Sequence, residues 1–275
     1  MSEPLRANEM SSFWSQEAPT YERQRRDSVH YPMQEIRLGY ILDLLGDEPK
    51  KHLDVGCGPG YTLIPLIKKG WDVTGTDISD EMLERAKKNI LGAGCDVTRV
   101  PLLKGNIEDL KFGDNSFDSI ACIGVVEYLK DERKALGELQ RVLKPGGVLV
   151  ITIRNRLCLF RLWDALKPVR GAFKGGLAHV GLCGGKAYLE KPFRDGIWFR
   201  KHSPFAFNRS LQRHGFSREG QYFFHYYVLP APFEYALGNA GTKLAVRLEG
   251  LSKRSISAFL ASGYIVKGRK SEPRA

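Results

Sequence analysis

The sequence predicts an α/β fold: a doubly wound, mostly parallel, seven-stranded sheet with a helical and aromatic insertion after the fifth strand. Three observations point there. Short β-prone runs alternate with helical patterns over residues 51 to 154, which implies a parallel sheet covered on both faces. A glycine-rich turn follows the first of these runs in "HLDVGCGPGY", residues 52 to 61. Two further β-prone runs, "GQYFFHYYVL" and "SAFLASGYIVKGRK", close the chain after a stretch without clean strands.

The elements follow in order. "KKHLDVG" reads as a strand, and "YTLIPLIKKG" as a helix stopped by Gly70. "WDVTGTD" is the second strand. "SDEMLERAKKNILGAG" is a helix that Ser79 can cap, with Met82, Leu83, Ala86 and Ile90 as its apolar stripe. "DVTRVPLLKG" holds the third strand and "SFDSIACIGVV" the fourth. "DERKALGELQRVLKPGG" is a helix with a Pro-Gly-Gly stop, and "VLVITIR" is the fifth strand. "SPFAFNRSLQRHGF" is a helix opened by Ser203-Pro204, and residues 231 to 254 read as helical but broken at "GNAG". Right-handed crossovers bring the strand C-termini and the loops after them to one edge of such a sheet.

A chain of 275 residues suits one large domain, or one domain with a sizeable insertion. The boundaries fall at 1–154 for the core, 155–202 for an insertion or lid, and 203–275 for the C-terminal part of the sheet. No run approaches 18 apolar residues, so no transmembrane helix is expected. The polar N-terminal stretch lacks the apolar core of a signal peptide. Five cysteines without a C-x-x-C argue against a zinc site or a disulfide framework, so no metal is expected and a reducing cytoplasm is the simplest location. Cys57 reads as a small residue that fits its loop rather than a reactive thiol. The net charge of +11 favours an anionic partner, be it nucleic acid, lipid or acidic substrate, or is merely a solvated basic surface.

The glycine turn lets a ligand approach backbone amides closely. A dinucleotide fingerprint would need glycine at 56, 58 and 61, but position 61 is Tyr61 and the third glycine is Gly60. No Gly-Lys-Ser/Thr follows, so a phosphate loop is excluded too. Asp77 ends the second strand, where a carboxylate can accept both hydroxyls of a ribose. Asn106, in "KGNIEDL", can border an adenine edge from the third-strand loop. "RVLKPGGVLVI" forms the turn into the fifth strand.

With "LDVGCGPG", Asp77, "KGNIEDL" and "RVLKPGG" in this order, the chain resembles the class I S-adenosylmethionine-dependent methyltransferases of the small-molecule type. The resemblance covers residues 21 to 153 and returns more weakly over 203 to 228 and the last strand. It implies a Rossmann-like core with an N-terminal helical cap and S-adenosylmethionine as cofactor. By this resemblance, Asp54, Gly56, Gly58 and Gly60 line the methionine part of that cofactor and Asp77 holds the ribose. Ile78 and Met82 pack near the adenine, Asn106 and Ile107 face its edge, and Ile123 borders the sulfonium. Tyr21 resembles the N-terminal tyrosine that closes over the cofactor in relatives. Many relatives carry Asp where Asn106 stands, and an amide still offers an acceptor oxygen.

A hydroxyl acceptor must also lose a proton. Relatives often carry Glu-His after the fourth strand, whereas this chain has Glu127-Tyr128. His202 and His179 are the remaining candidates for a base, and His225 reads as structural. Leu159, Leu162, Trp163 and Leu166 recur at helical spacing among Arg154, Arg156, Arg161, Lys167, Arg170 and Lys174. Such a basic amphipathic segment over 154–175 is either a contact with an anionic membrane or a lid packed on its own domain. The expected acceptor is a small apolar, aromatic or lipid-like molecule methylated at oxygen. An RNA acceptor is less favoured because no appended RNA-binding module is visible, and a non-catalytic cofactor-binding protein is the third alternative.

Overall fold

A computed structural model describes residues 5–27, 33–48, 50–159, 199–226 and 233–272, with backbone alone at 20–27 and 233–239. Strands β1 (Lys51–Val55), β2 (Asp72–Asp77), β3 (Leu102–Lys104), β4 (Phe117–Cys122), β5 (Leu143–Arg154), β6 (Phe216–Tyr226) and β7 (Ala261–Lys270) form a single sheet. Their order is β3-β2-β1-β4-β5-β7-β6. The first five pair in parallel, and β7 runs antiparallel between β5 and β6. The doubly wound, mostly parallel seven-stranded sheet expected from the alternating pattern is therefore present.

Two layers cover it. Helices α2 (Met33–Leu45), α3 (Leu63–Lys68) and α4 (Asp80–Gly92) bury Ile41, Leu44, Leu66, Leu83 and Ile90 against Val73, Val148 and Val150. On the other face, α5 (Arg133–Val142) and α6 (Pro204–Arg213) bury Leu136, Leu139, Phe207 and Leu211 against Leu149, Ile151 and Ile153. Neighbouring β5 residues thus serve opposite layers, so a strand buried on both sides reads as one apolar run. Ser79 caps α4 by accepting from Met82 N at 3.2 Å, and the helix buries the expected stripe of Met82, Leu83, Ala86 and Ile90. The long N-terminal helix α1 (Ala7–Asp27) crosses the β2–α4 turn, where Ser11 Oγ donates to Ile78 O at 2.7 Å. Ser15 and Ser79 share a hydrogen bond of 2.9 Å at the same junction.

Three local expectations are corrected. Helix α5 stops at Val142, and the Pro-Gly-Gly lies inside β5, where pairing with β4 shifts register between Phe117 and Ser119. Helix α7 (Phe233–Leu248) runs unbroken through "GNAG". An interior glycine costs only about 1 kcal/mol, too little to break a helix by itself. Strand β6 starts four residues before "GQYFFHYYVL" and takes in charged Arg218 and Glu219 around a register shift. Most of the insertion, including Arg161, Leu162, Trp163, Leu166 and His179, lies outside the described residues. No described helix is long and apolar enough to cross a membrane.

Candidate functional site

The strand ends meet at one edge. Val55 leads from β1 into Gly56, whose φ is +71°. Gly56 N and Cys57 N both donate to Thr76 O, at 2.7 and 3.0 Å, pinning the loop to β2. A Cβ at Gly56 would lie 2.2 Å from Cγ2 of Val125, so the loop fits only without a side chain there. A Cβ at Gly58, whose φ is +51°, would meet nothing within 4 Å, because the space over Gly58 belongs to a cavity. Gly60 turns away from that space and packs on α4, where its Cβ would come 3.2 Å from that of Ala86.

Asp77 ties this loop to the next. Its Oδ2 accepts from Gly58 N at 2.8 Å and its Oδ1 from Ser79 N at 2.9 Å. Its backbone carbonyl accepts from Gly105 N at 2.9 Å, which places Asn106 beside it. Asn106 Oδ1 accepts from Glu108 N at 3.0 Å, closing its own turn. From β4, Ile123 leads into Gly124, whose N–H donates to Thr152 Oγ1 at 2.8 Å. A 3-10 turn over Val126–Tyr128 then carries Glu127.

These loops surround a cavity of about 350 Å³ roofed by α1 and α2. Eight expected site residues line it: Gly56, Gly58, Asp77, Ile78, Met82, Asn106, Ile107 and Ile123. Asp54 lines an adjoining pocket of about 60 Å³ together with Gly56 and Gly58. Tyr21 lies on α1, but its side chain is outside the described residues. His202 is buried beside β5 and does not line the cavity. Its N–H donates to Arg154 O at 2.9 Å, and its ring meets Phe207 edge-on at 5.2 Å. Burial lowers its pKa, with Glu132 opposing and Arg200 assisting.

The cavity also has residues beyond the expected cofactor set. Met10 and Trp14 come from α1, and Gln34 and Arg37 from α2. Glu127, Tyr128 and Arg154 close the side toward β5. Arg154 ends the fifth strand, so the rule that strand C-termini gather at one edge was enough to find it. Nothing in the pattern of α2 marks Arg37.

The acids at this edge are buried. Desolvation, reinforced by the charge of Asp77, pushes Asp54 up to about 7, and its Oδ2 has no hydrogen-bond partner among the described residues. Asp77 is also raised by burial, against the pull of the amides it accepts from. Burial raises Glu127, while Arg154 and Arg37 draw it back. Its Oε2 has no hydrogen-bond partner among the described residues, and its Oε1 sits 3.7 Å from Arg154 Nε. Burial raises the Cys57 thiol well above its usual range, consistent with an inert residue. Among the described residues there is no group of His, Cys, Asp and Glu suited to a metal.

The residues at this edge fit S-adenosylmethionine. The unfilled space over Gly58 admits a ligand against the backbone, and the unpartnered Asp54 oxygen suits a cationic group. The carboxylate of Asp77, which lines the cavity, has acceptor capacity beyond the backbone amides it holds.

Residues 53–151 match the family described as "Methyltransferase domain". The ubiquinone biosynthesis O-methyltransferase of Alkalilimnicola ehrlichii is 32% identical over 123 residues, 44% of this chain and 49% of that protein. Its counterpart from Vibrio parahaemolyticus is 32% identical over 123 residues, 44% of this chain and 51% of that protein. The chain thus spans about half the length of the curated relatives it matches. Among solved structures, magnesium protoporphyrin IX methyltransferase from Synechocystis PCC 6803, with bound SAH, superposes with a TM-score of 0.59. That match is 14% identical and covers 96% of this chain and 99% of the other. A SAM-dependent methyltransferase from Thermotoga maritima gives 0.57 at 19% identity, covering 94% and 99%. At these identities the structural matches establish the fold, and that fold is the S-adenosylmethionine-dependent methyltransferase fold.

Proposed function

We propose that this chain, which carries a methyltransferase domain at residues 53–151, is an enzyme that moves a methyl group from S-adenosylmethionine to a small acceptor. Domain and fold both imply that cofactor. The acceptor is an apolar, aromatic or lipid-like molecule with a hydroxyl, methylated at oxygen. One observation carries the reading. The cavity at the carboxyl edge of the sheet combines a bare glycine loop and Asp77 with the aromatic walls Trp14 and Tyr128.

In this reading the bound cofactor supplies an electrophilic methyl on a sulfonium. The chain binds, orients and excludes water. Asp77 accepts the ribose hydroxyls, and Asn106 and Ile107 border the adenine. Gln34 and Arg37 extend from α2 over the loop beside Asp54, where Arg37 meets the methionine carboxylate. Glu127 takes the proton of the acceptor hydroxyl. It lines the cavity, its Oε2 has no hydrogen-bond partner among the described residues, and burial raises its pKa. His202 is a weaker candidate for that role because its ring is off the cavity wall.

Residues 154–175 are the proposed contact with anionic lipid. The described part of that segment exposes Arg156 and Leu159. Cys158 Sγ reaches Leu260 O at 3.6 Å, and Phe259 beside it is exposed as well. The supporting result is sedimentation with anionic vesicles that is lost when Trp163 and Leu166 become Ser. A wild type that never sediments refutes the contact.

The deciding experiment incubates the pure protein with methyl-labelled S-adenosylmethionine and an extract of its source cells. Label partitioning into organic solvent supports the acceptor class. Label in RNA overturns it. No label in any fraction, with no calorimetric binding of S-adenosylhomocysteine, overturns methyl transfer itself.

A further inference from the structure

We propose that the acceptor carries an oxyanion, a carboxylate or a phosphate, which the guanidinium of Arg154 holds while the reacting hydroxyl faces Glu127. This rests on the methyl-transfer reading above and adds the substrate's charge to it.

Arg154 is the last residue of β5 and lines the cavity. Its guanidinium carbon lies 4.1 Å from the centroid of the Phe199 ring, which fixes the plane of the group. Phe199 in turn packs on Tyr128, with ring centroids 5.3 Å apart, and Tyr128 packs edge-on to Trp14 at 5.2 Å. The arginine is therefore held chiefly by an aromatic wall, with one long ion pair to Glu127. That ion pair measures 3.7 Å from Nε to Oε1 and leaves most of the guanidinium donors unused by that contact. The side chain is 31% exposed, so water does not fully solvate it. A planar fork with unused donors, pre-oriented in a cavity wall, matches a bidentate oxyanion.

The charge balance leads to the same conclusion. Two guanidinium groups, Arg154 and Arg37, act on the one carboxylate of Glu127. Arg37 donates to Gln34 at 2.6 Å and borders both the cavity and the pocket of Asp54, on the cofactor side. A carboxylate of the cofactor answers that cation. Arg154, at the end of β5 next to Glu127, has only the long 3.7 Å ion pair with Glu127 among the described residues. Half-buried cations that lack anions are costly, so a ligand that completes this one is favoured. A ring packed on the Trp14–Tyr128 wall can then direct a hydroxyl to Glu127 and an oxyanion to Arg154.

The test begins with calorimetry of S-adenosylhomocysteine on the intact wild-type chain. The loaded protein is then titrated with para-hydroxybenzoate, phenyl phosphate and the neutral para-hydroxybenzamide. At least one anionic probe is expected to bind about tenfold or more tighter than the amide, as a charged bidentate pair should. The tighter of the two anions identifies carboxylate or phosphate. In Arg154→Gln the preference falls to near parity while affinity for S-adenosylhomocysteine is unchanged. Arg154→Lys, which keeps the charge without the fork, retains part of the preference and serves if the glutamine variant does not fold. The proposal is overturned if the loaded wild type shows no anion preference, if the folded variants keep it in full, or if they lose S-adenosylhomocysteine instead. A wild type that does not bind S-adenosylhomocysteine fails at the first titration, which refutes the methyl-transfer reading and this inference with it.

Discussion

Asp77 and Gly58 are joined by a hydrogen bond of 2.8 Å from the glycine amide to Oδ2, across 19 residues of chain. With Ser79 N on the other oxygen at 2.9 Å, this carboxylate fastens the glycine loop to the N-terminus of α4 before any ligand is considered. A ribose then uses the lone pairs left over. Asp77→Ala is expected to weaken S-adenosylhomocysteine binding by at least roughly 100-fold, since two hydrogen bonds to a charged group are lost. It also lowers the melting temperature, because two buried amides lose their acceptor. Calorimetry and thermal melts together check this. Unchanged affinity refutes the ribose role, and an unchanged melting temperature refutes the tether.

Gly56 tests the loop by sterics. An added Cβ would sit 2.2 Å from Val125 Cγ2 at a φ of +71°, which combines a clash with a left-handed backbone. Gly56→Ala should destabilise by about 2–4 kcal/mol and impair cofactor binding. Adding Val125→Ala removes the clashing atom and should recover part of the loss, leaving the backbone strain. Urea unfolding of both variants gives the comparison, and a single variant as stable as wild type contradicts the geometry.

What the sequence makes legible follows the strength of local signals. Runs rich in β-branched and apolar residues between turn residues locate the seven strands, though not the charged start of β6, and Ser79 announces α4 by a capping pattern that holds at 3.2 Å. The glycine spacing and Asp77 mark the cofactor side of the cavity because their chemistry needs those residue types in one short stretch. The acceptor side has no such stretch. Trp14, Arg37, Glu127 and Arg154 come from four separate elements and meet only through the sheet topology. "GNAG" misleads because glycine reports local preference while the packing of α7 is decided elsewhere.

Asp54 should leave a signature in the stability of the ligand-free protein. Its folded pKa of about 7 stands above the unfolded value of 3.8, because burial and Asp77 disfavour its charge. Between those values the folded chain keeps a proton that the unfolded chain has released. Stability therefore falls as pH rises through that window, by about 4 kcal/mol if Asp54 acts alone, and levels off above it. Asp77 is shifted in the same direction, so Asp54→Asn should shrink the fall without abolishing it. Urea unfolding across the window in both proteins measures the difference, and parallel pH profiles refute the assignment.

The division of labour between Glu127 and His202 gives the sharpest functional contrast. Glu127 lines the cavity, whereas His202 does not and packs its ring against Phe207. Glu127→Gln is expected to cut kcat at least about 100-fold, the usual worth of a positioned base, with cofactor affinity retained. Because burial raises Glu127, the wild-type rate should climb with pH as the carboxyl ionises and then flatten, and the glutamine variant should lose that limb. His202→Ala should leave the pH limb in place and reduce kcat by less than about tenfold, while lowering stability by opening a hole beside Phe207. The reverse pattern, a mild glutamine variant and a severe alanine variant that erases the limb, would transfer proton acceptance to His202. It would also require the ring to reach the cavity by a rearrangement at the β5 edge, where its amide now donates to Arg154 O at 2.9 Å.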